Sequence, residues 1–266
     1  MRAVLVPDDL WERVVPLLPP APERRRHHPG RLHVPDRAAL AGVMYVLRTG
    51  VAWRDAPAET VDCSGVTVWR RLRDWTEAGV WPRLHAALLT ELRRTDLLEH
   101  CAVDGSHIRA LKGGSRRPLT SRPRRPGSKH HLIVDRHGTP LAVTLTDGNR
   151  HDVIQLLPLL DAVPSIRGLR GRPRHKPRHL YADRGYDFDK YRRLLWKRGI
   201  KPLIARRGVA HGSGLGKVRW VVKRAFAWLH RFKRLRIRSE RRADLHQGLL
   251  ELACSLICLR RLRTAR

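Results

Sequence analysis

Acidic side chains are scarce in this sequence: 24 Asp and Glu stand against 55 Lys and Arg, so the formal net charge of the 266 residues is +31. A field of that sign and size suits a polyanion such as DNA or RNA better than a small acidic metabolite. Cysteine is scarce too. Cys63, Cys101, Cys254 and Cys258 form no CxxC pair and sit among apolar neighbours, which argues against a zinc site. A chain of this length needs neither a metal nor disulfides to hold a core. Long apolar runs are also missing. No stretch reaches the roughly 18 uncharged apolar residues of a membrane span, and no apolar signal run precedes Asp8-Asp9, so the expectation is a cytoplasmic, DNA-associated protein with no membrane partner. No internal repeat is visible. The 42% of hydrophobic residues is enough for a core and excludes disorder as the default.

The charge is unevenly placed. Residues 1–100 carry 15 Arg, no Lys and 13 acids, a net of +2, whereas residues 101–266 carry 40 bases and 11 acids, a net of +29. The hydrophobic pattern changes at the same place. Asp9 and Glu12 read as a capping box opening a short helix that stops at Pro19-Pro20. Asp36 reads as the cap of a second helix, with Leu40, Val43, Met44 and Leu47 at helical spacing and Gly50 at its end. Two more helices are expected over 64–77 and 80–94. Their short glycine-containing turn allows a helix-turn-helix in which Arg70, Arg71 and Arg73 face DNA, with plain helix packing as the alternative. This makes 1–99 a helical, DNA-binding candidate domain.

From residue 101 short strands appear: Cys101 to Asp104, His131 to Val134, Leu141 to Leu145, His179 to Ala182 and Ile200 to Ile204, the second and third forming a hairpin. Between the first two lies a basic loop, 112–129, with seven bases, three Pro, three Gly and no acid. Helices are expected over 152–160, 189–198, 217–232 and 244–259. The result is an α/β domain over 100–266.

Asp104 and Asp183 each end a strand, and carboxylates meeting at one sheet edge could hold Mg²⁺ or Mn²⁺ for phosphoryl transfer. Strand-terminating turns before glycine, a common use of Asp, are the alternative reading, and Asp135 and Asp147 also end strands, so spacing leaves the pair open. Asp187 and Asp189 read as turn and cap residues.

The segments Asp104-Gly105-Ser106, Gly148-Asn149-Arg150-His151-Asp152, Ala182-Asp183-Arg184-Gly185-Tyr186 and Arg219 through Leu229 resemble the bacterial insertion-sequence transposases of the IS5 group, within the IS4-like class. Trp11, Leu17-Leu18-Pro19, Leu47 to Gly50, Trp53-Arg54 and Trp75 extend the resemblance over the leading helices. It implies a ribonuclease H-like mixed sheet with flanking helices, preceded by a small all-helical domain. It further implies an Asp, Asp, Glu triad that binds divalent metal and cuts and joins DNA at terminal inverted repeats, in a homo-oligomeric synaptic complex. The two Asp residues map onto Asp104 and Asp183, as catalytic and metal-binding positions. The third carboxylate maps onto Lys223, which has no lone pair for a metal when protonated. The alternative is therefore a catalytically disabled relative that binds DNA without cutting it, with Glu240 as a fallback carboxylate.

Lys129, His130, Arg184, Arg219, Arg224, Arg231, Lys233 and Arg234 are the candidate DNA-binding residues, the last three within a basic run from Arg231 to Arg242. Trp220, Phe226 and Trp228 read as core rather than as base-stacking platforms. Both functional readings predict that affinity for duplex DNA falls steeply with salt, by about a thousandfold or more between 50 and 200 mM for six or more phosphate contacts. A flat response in a filter-binding titration would remove the polyanion argument.

Overall fold

The computed structural model describes residues 5–21, 27, 33–92, 96–111, 127–167, 172–208 and 215–264. The basic loop expected over 112–129 therefore lies outside the described residues, except for its last three positions, which are strand.

Helices come first: α1 (Asp8–Val14), α2 (Asp36–Thr49), α3 (Ala58–Val61), α4 (Gly65–Glu77) and α5 (Val80–Glu91). The expected side-chain caps of the first two are absent. Pro7 and Pro35 occupy the cap positions, and Asp8, Asp9 and Asp36 lie in the first turns, where carboxylates complement the helix dipole. Asp36 is instead held by Arg71, 3.2 Å away. Gly50 closes α2 in a left-handed conformation, φ 77°, that a residue with a Cβ adopts only at a cost. Ser64 caps α4 by accepting from the Thr67 N–H.

The sheet follows. β1 (His100–Ala110), β2 (Gly127–Asp135) and β3 (Pro140–Asp147) form an antiparallel meander, and α6 (Leu156–Asp161) leads across to β4 (His179–Ala182), which runs parallel to β1. α7 (Asp189–Lys197) then returns the chain to β5 (Lys201–Ile204), parallel to β4. The order is β3-β2-β1-β4-β5, with β1 in the centre. α8 (Leu215–Leu229), the two-residue strand β6 (Ile237–Arg238) and α9 (Ala243–Thr264) complete the chain. β6 pairs with the far end of β1. It was not expected, because a run of alternating bases does not look like a strand until a partner edge supplies its hydrogen bonds.

β1 and β2 run beyond their apolar segments. Gly105, Ser106 and His107 pair with His131, His130 and Lys129, although sequence alone marks them as polar. Residues directly opposite share a face of the sheet. Asp104, Ser106, Leu132 and His130 thus point to one side, and His130 there meets His246 of α9 at 2.9 Å and lies against His230, just past α8. The opposite face carries His131, which bonds Thr146, and is covered by α6.

The helical region and the sheet share one apolar core that runs from Val6 and Leu10 through Trp81 and Leu132 to Leu259. α5 lies along α9, where a Cβ on Gly248 would fall 2.7 Å from Thr76 and 2.9 Å from Trp81. A buried polar joint adds to it. Arg234, 6% exposed, donates to Glu240 at 2.6 Å and to the Val51 carbonyl at 2.9 Å, and stacks on Trp53, whose indole N–H reaches Glu240 at 3.2 Å. This joint overturns two expectations. Arg234 cannot face DNA, and Glu240 cannot serve as a spare metal ligand, because each is spent on the other inside the fold. Removing one partner leaves a buried charge alone, so Arg234→Met should lower unfolding stability by about 3 to 5 kcal/mol. Urea denaturation of that variant and of Arg234→Met/Glu240→Gln checks this; a loss below about 1 kcal/mol in the single variant would contradict it.

Candidate active site

Ala102 opposite Tyr181 is the last paired rung between β1 and β4. Asp104 and Asp183 each lie two residues further on, and Asp183 keeps extended backbone, φ −84° and ψ −178°. Strand alternation then puts both carboxylates on the face that carries α8 and α9, at the same level of neighbouring strands. Both are half-buried. Asp104 does not end its strand as expected, because β1 runs on to Ala110 in pairing with β2; its Oδ1 accepts from the neighbouring Gly105 N–H and Asp183 Oδ1 from the Gly185 N–H in the turn after β4, both at 2.8 Å. A second acid stands behind the first. Asp152 presses against Gly105, where a Cβ would come within 3.1 Å of its carboxyl carbon, and takes the Lys129 ammonium at 2.8 Å.

The other acids are committed elsewhere. Asp135 is fully buried and accepts the N–H groups of His137 and Thr139, holding the β2–β3 turn. Asp187 pairs with Arg192 at 2.7 Å, and exposed Asp189 pairs with Arg206 at 2.9 Å. Among the described residues no cluster of three or more His, Cys, Asp or Glu is arranged to hold a metal.

α8 buries Val221, Val222, Ala225, Phe226 and Leu229 and leaves Trp220, Lys223 and Ala227 exposed. Lys223 is thus off the apolar stripe. Trp220 is not core: half its surface is exposed, and the Arg224 guanidinium stacks 4.2 Å from its ring centre. Its spacing of four residues from Arg224 and eight from Trp228 is a helical-face signal legible in the sequence.

The candidate DNA-binding residues divide. Arg231 and Lys233 are exposed. His130 is fully buried against His246, which corrects its assignment as a DNA contact. Lys129 is tied to Asp152 and the Arg150 carbonyl, and Arg224 is bonded to the His137 carbonyl. Arg184 is half-buried in the turn after Asp183, and Arg219 lies on α8, one turn before Lys223. The basic run from Arg231 to Arg242 is not one solvated strip, since Arg238 is buried and donates to Ser128 at 2.9 Å. In the helical region Arg70 is exposed, whereas Arg71 pairs with Asp36 and Arg73 with its neighbour Asp74.

Burial dominates the histidines. It pushes His85 down to about 4 despite its bond to the Pro140 carbonyl, His131 to about 4, and His246 to about 3 with help from the Arg238 and Arg234 charges.

A meander followed by two parallel strands, in the order 3-2-1-4-5 with acids on the central strand and its parallel neighbour, is the ribonuclease H-like arrangement used by DDE transposases. Residues 96–258 match the family model "Transposase DDE domain", and residues 6–85 match "Putative transposase of IS4/5 family". The chain belongs to the DDE-domain transposases of the IS4/5 family. It is 63% identical over 141 residues, 53% of this chain and 67% of the relative, to "Putative transposase for insertion sequence element IS402" of Burkholderia cepacia. It is 52% identical over 118 residues, 44% of this chain and 80% of the relative, to "Insertion element IS402 uncharacterized 16.2 kDa protein" of the same organism. A pre-cleavage Mos1 transpososome structure is 14% identical, with 90% of this chain and 82% of that one covered and a TM-score of 0.28, too low to carry positions across.

The lowered histidines set a stability window. Each is neutral in the fold, whereas in the unfolded chain it takes up a proton near pH 6.5, so its contribution is intact above that value and is lost as pH falls towards about 4. The urea midpoint should drop steadily from pH 6.5 to 4.5; a midpoint constant over that range would contradict the neutral assignment.

Proposed function

We propose that this transposase binds the terminal inverted repeats of its insertion element and that Asp104 and Asp183 hold Mg²⁺ or Mn²⁺ for DNA strand cleavage and joining. The observation that carries this reading is the shared level and shared face of the two carboxylates on adjacent parallel strands. Two half-buried, oriented carboxylates fit a hard cation, with remaining positions left to water and phosphate oxygens. A bound ion there would polarise the phosphodiester and favour deprotonation of the attacking water or 3′-hydroxyl. The residues themselves gather opposite charge: the carboxylates at the reacting centre, and exposed Arg231 and Lys233 along the DNA backbone. Arg219, one helical turn from Lys223, is suited to a phosphate. Two element ends call for at least two copies of the chain.

One observation favours a second reading, a disabled transposase that still binds DNA. Lys223, exposed on α8, is the residue that the family resemblance aligns with the third carboxylate, and an ammonium cannot ligate a cation. Cleavage of a labelled terminal-repeat duplex in Mn²⁺ separates the readings. Lys223→Glu should raise the rate about a hundredfold, the scale of one well-placed electrostatic group, and Asp104→Ala should abolish it. Cleavage that survives Asp104→Ala would sink the assignment of the site, and wild-type cleavage as fast as Lys223→Glu would sink the disabled reading.

A further inference from the structure

We infer that the exposed face of α8 is a binding site for a single unpaired nucleotide of the DNA, its base stacked on Trp220 and its phosphate held by Lys223. Trp220 is 50% exposed, a large apolar ring left at the surface of a helix whose opposite side is fully packed. The ring is not loose. The Arg224 guanidinium lies 4.2 Å from the Trp220 centroid and 5.1 Å from that of Trp228, and the Arg261 guanidinium also lies 5.1 Å from the Trp228 centroid. Both arginines donate to the same carbonyl, that of His137 in the β2–β3 turn. Arg224 is thereby fixed as a cationic backing for the tryptophan and is not available to swing out to a phosphate.

A rigid aromatic ring, backed by a cation and open to solvent, is a platform for a nucleobase, because every base has a π face and stacking needs no particular sequence. Lys223 supplies the second contact. It shares the exposed side of α8 with Trp220, three positions on, and such neighbours stand about 5 to 6 Å apart at their Cβ atoms, the scale separating a base from its own phosphate. Ala227, the next exposed residue of the same side, is small enough to leave the approach open. A paired base cannot use the platform, since its faces are covered within the duplex. The ligand is therefore a nucleotide outside the helix, at a frayed or tailed end. On this view Lys223 has a role as a phosphate contact irrespective of whether the site cuts.

This inference rests on the DNA-binding reading above, and the two can fail separately. Fluorescence anisotropy of the full chain would be compared on a blunt 20-base-pair duplex, the same duplex with an unpaired oligo-dT tail, and one with an abasic tail that keeps the phosphates. The dT tail should bind more tightly than the abasic tail. Trp220→Ala should weaken dT-tail binding about 5- to 100-fold and leave the blunt duplex unchanged, with Trp220→Phe retaining most of the affinity and both variants keeping the wild-type thermal midpoint. Equal binding of dT and abasic tails, or equal loss on blunt and tailed duplexes in Trp220→Ala, would overturn the platform. No binding to any of the three would overturn the DNA reading and the platform with it.

Discussion

The double pairing of β1 is the constraint on which the rest of the molecule depends. One edge is taken by β2 in antiparallel register over nine rungs, and the other is shared between β4 near its start and β6 near its end. With both edges held, a slip by one residue would turn Asp104 to the α6 face and Gly105 to the α8 face. Gly105 is also where Asp152 presses in, so a side chain at that position would force the same contact apart. The carboxylate level at Asp104 and Asp183 is therefore an outcome of strand register, maintained by hydrogen bonds some distance from the acids.

The surplus of positive charge has a divided use. Arg234 and Arg238 are buried within the fold, Arg224 and Arg261 back tryptophans and share one carbonyl, and Arg71 pins Asp36. These bases act as multi-donor struts between elements far apart in sequence, a role suited to the fixed fork of guanidinium. The surface that remains for a polyanion is carried by residues such as Arg70, Lys223, Arg231 and Lys233. Net charge predicts attraction to DNA but does not say which arginine performs it.

Much of the fold was legible. Helical spacing located α4, α5, α7 and α9 to within a few residues, because their apolar stripes repeat with the period of the helix and face one core. β4 was read to the residue. The misread elements have a common cause: they depend on partners. The polar halves of β1 and β2 and the basic β6 are strands only because a neighbouring edge supplies hydrogen bonds, and Asp9 and Asp36 look like caps until prolines take the cap positions. The helical region, nearly neutral in charge, shares its apolar core with the sheet through α5, α9 and the Arg234–Glu240 joint.

The sequence by itself determined the family and the basic excess of residues 101–266, because each is carried by local residue types and spacing. Only the tertiary structure decided which side chains share a face of the sheet and which are buried. Register between β1 and β4 brought Asp104 and Asp183 to one level, burial took His130, Arg234 and Glu240 off the surface, and the ladder of arginines and tryptophans left Trp220 facing outward. Those outcomes rest on contacts between residues up to about two hundred positions apart, such as Trp53 with Glu240, which no local pattern encodes.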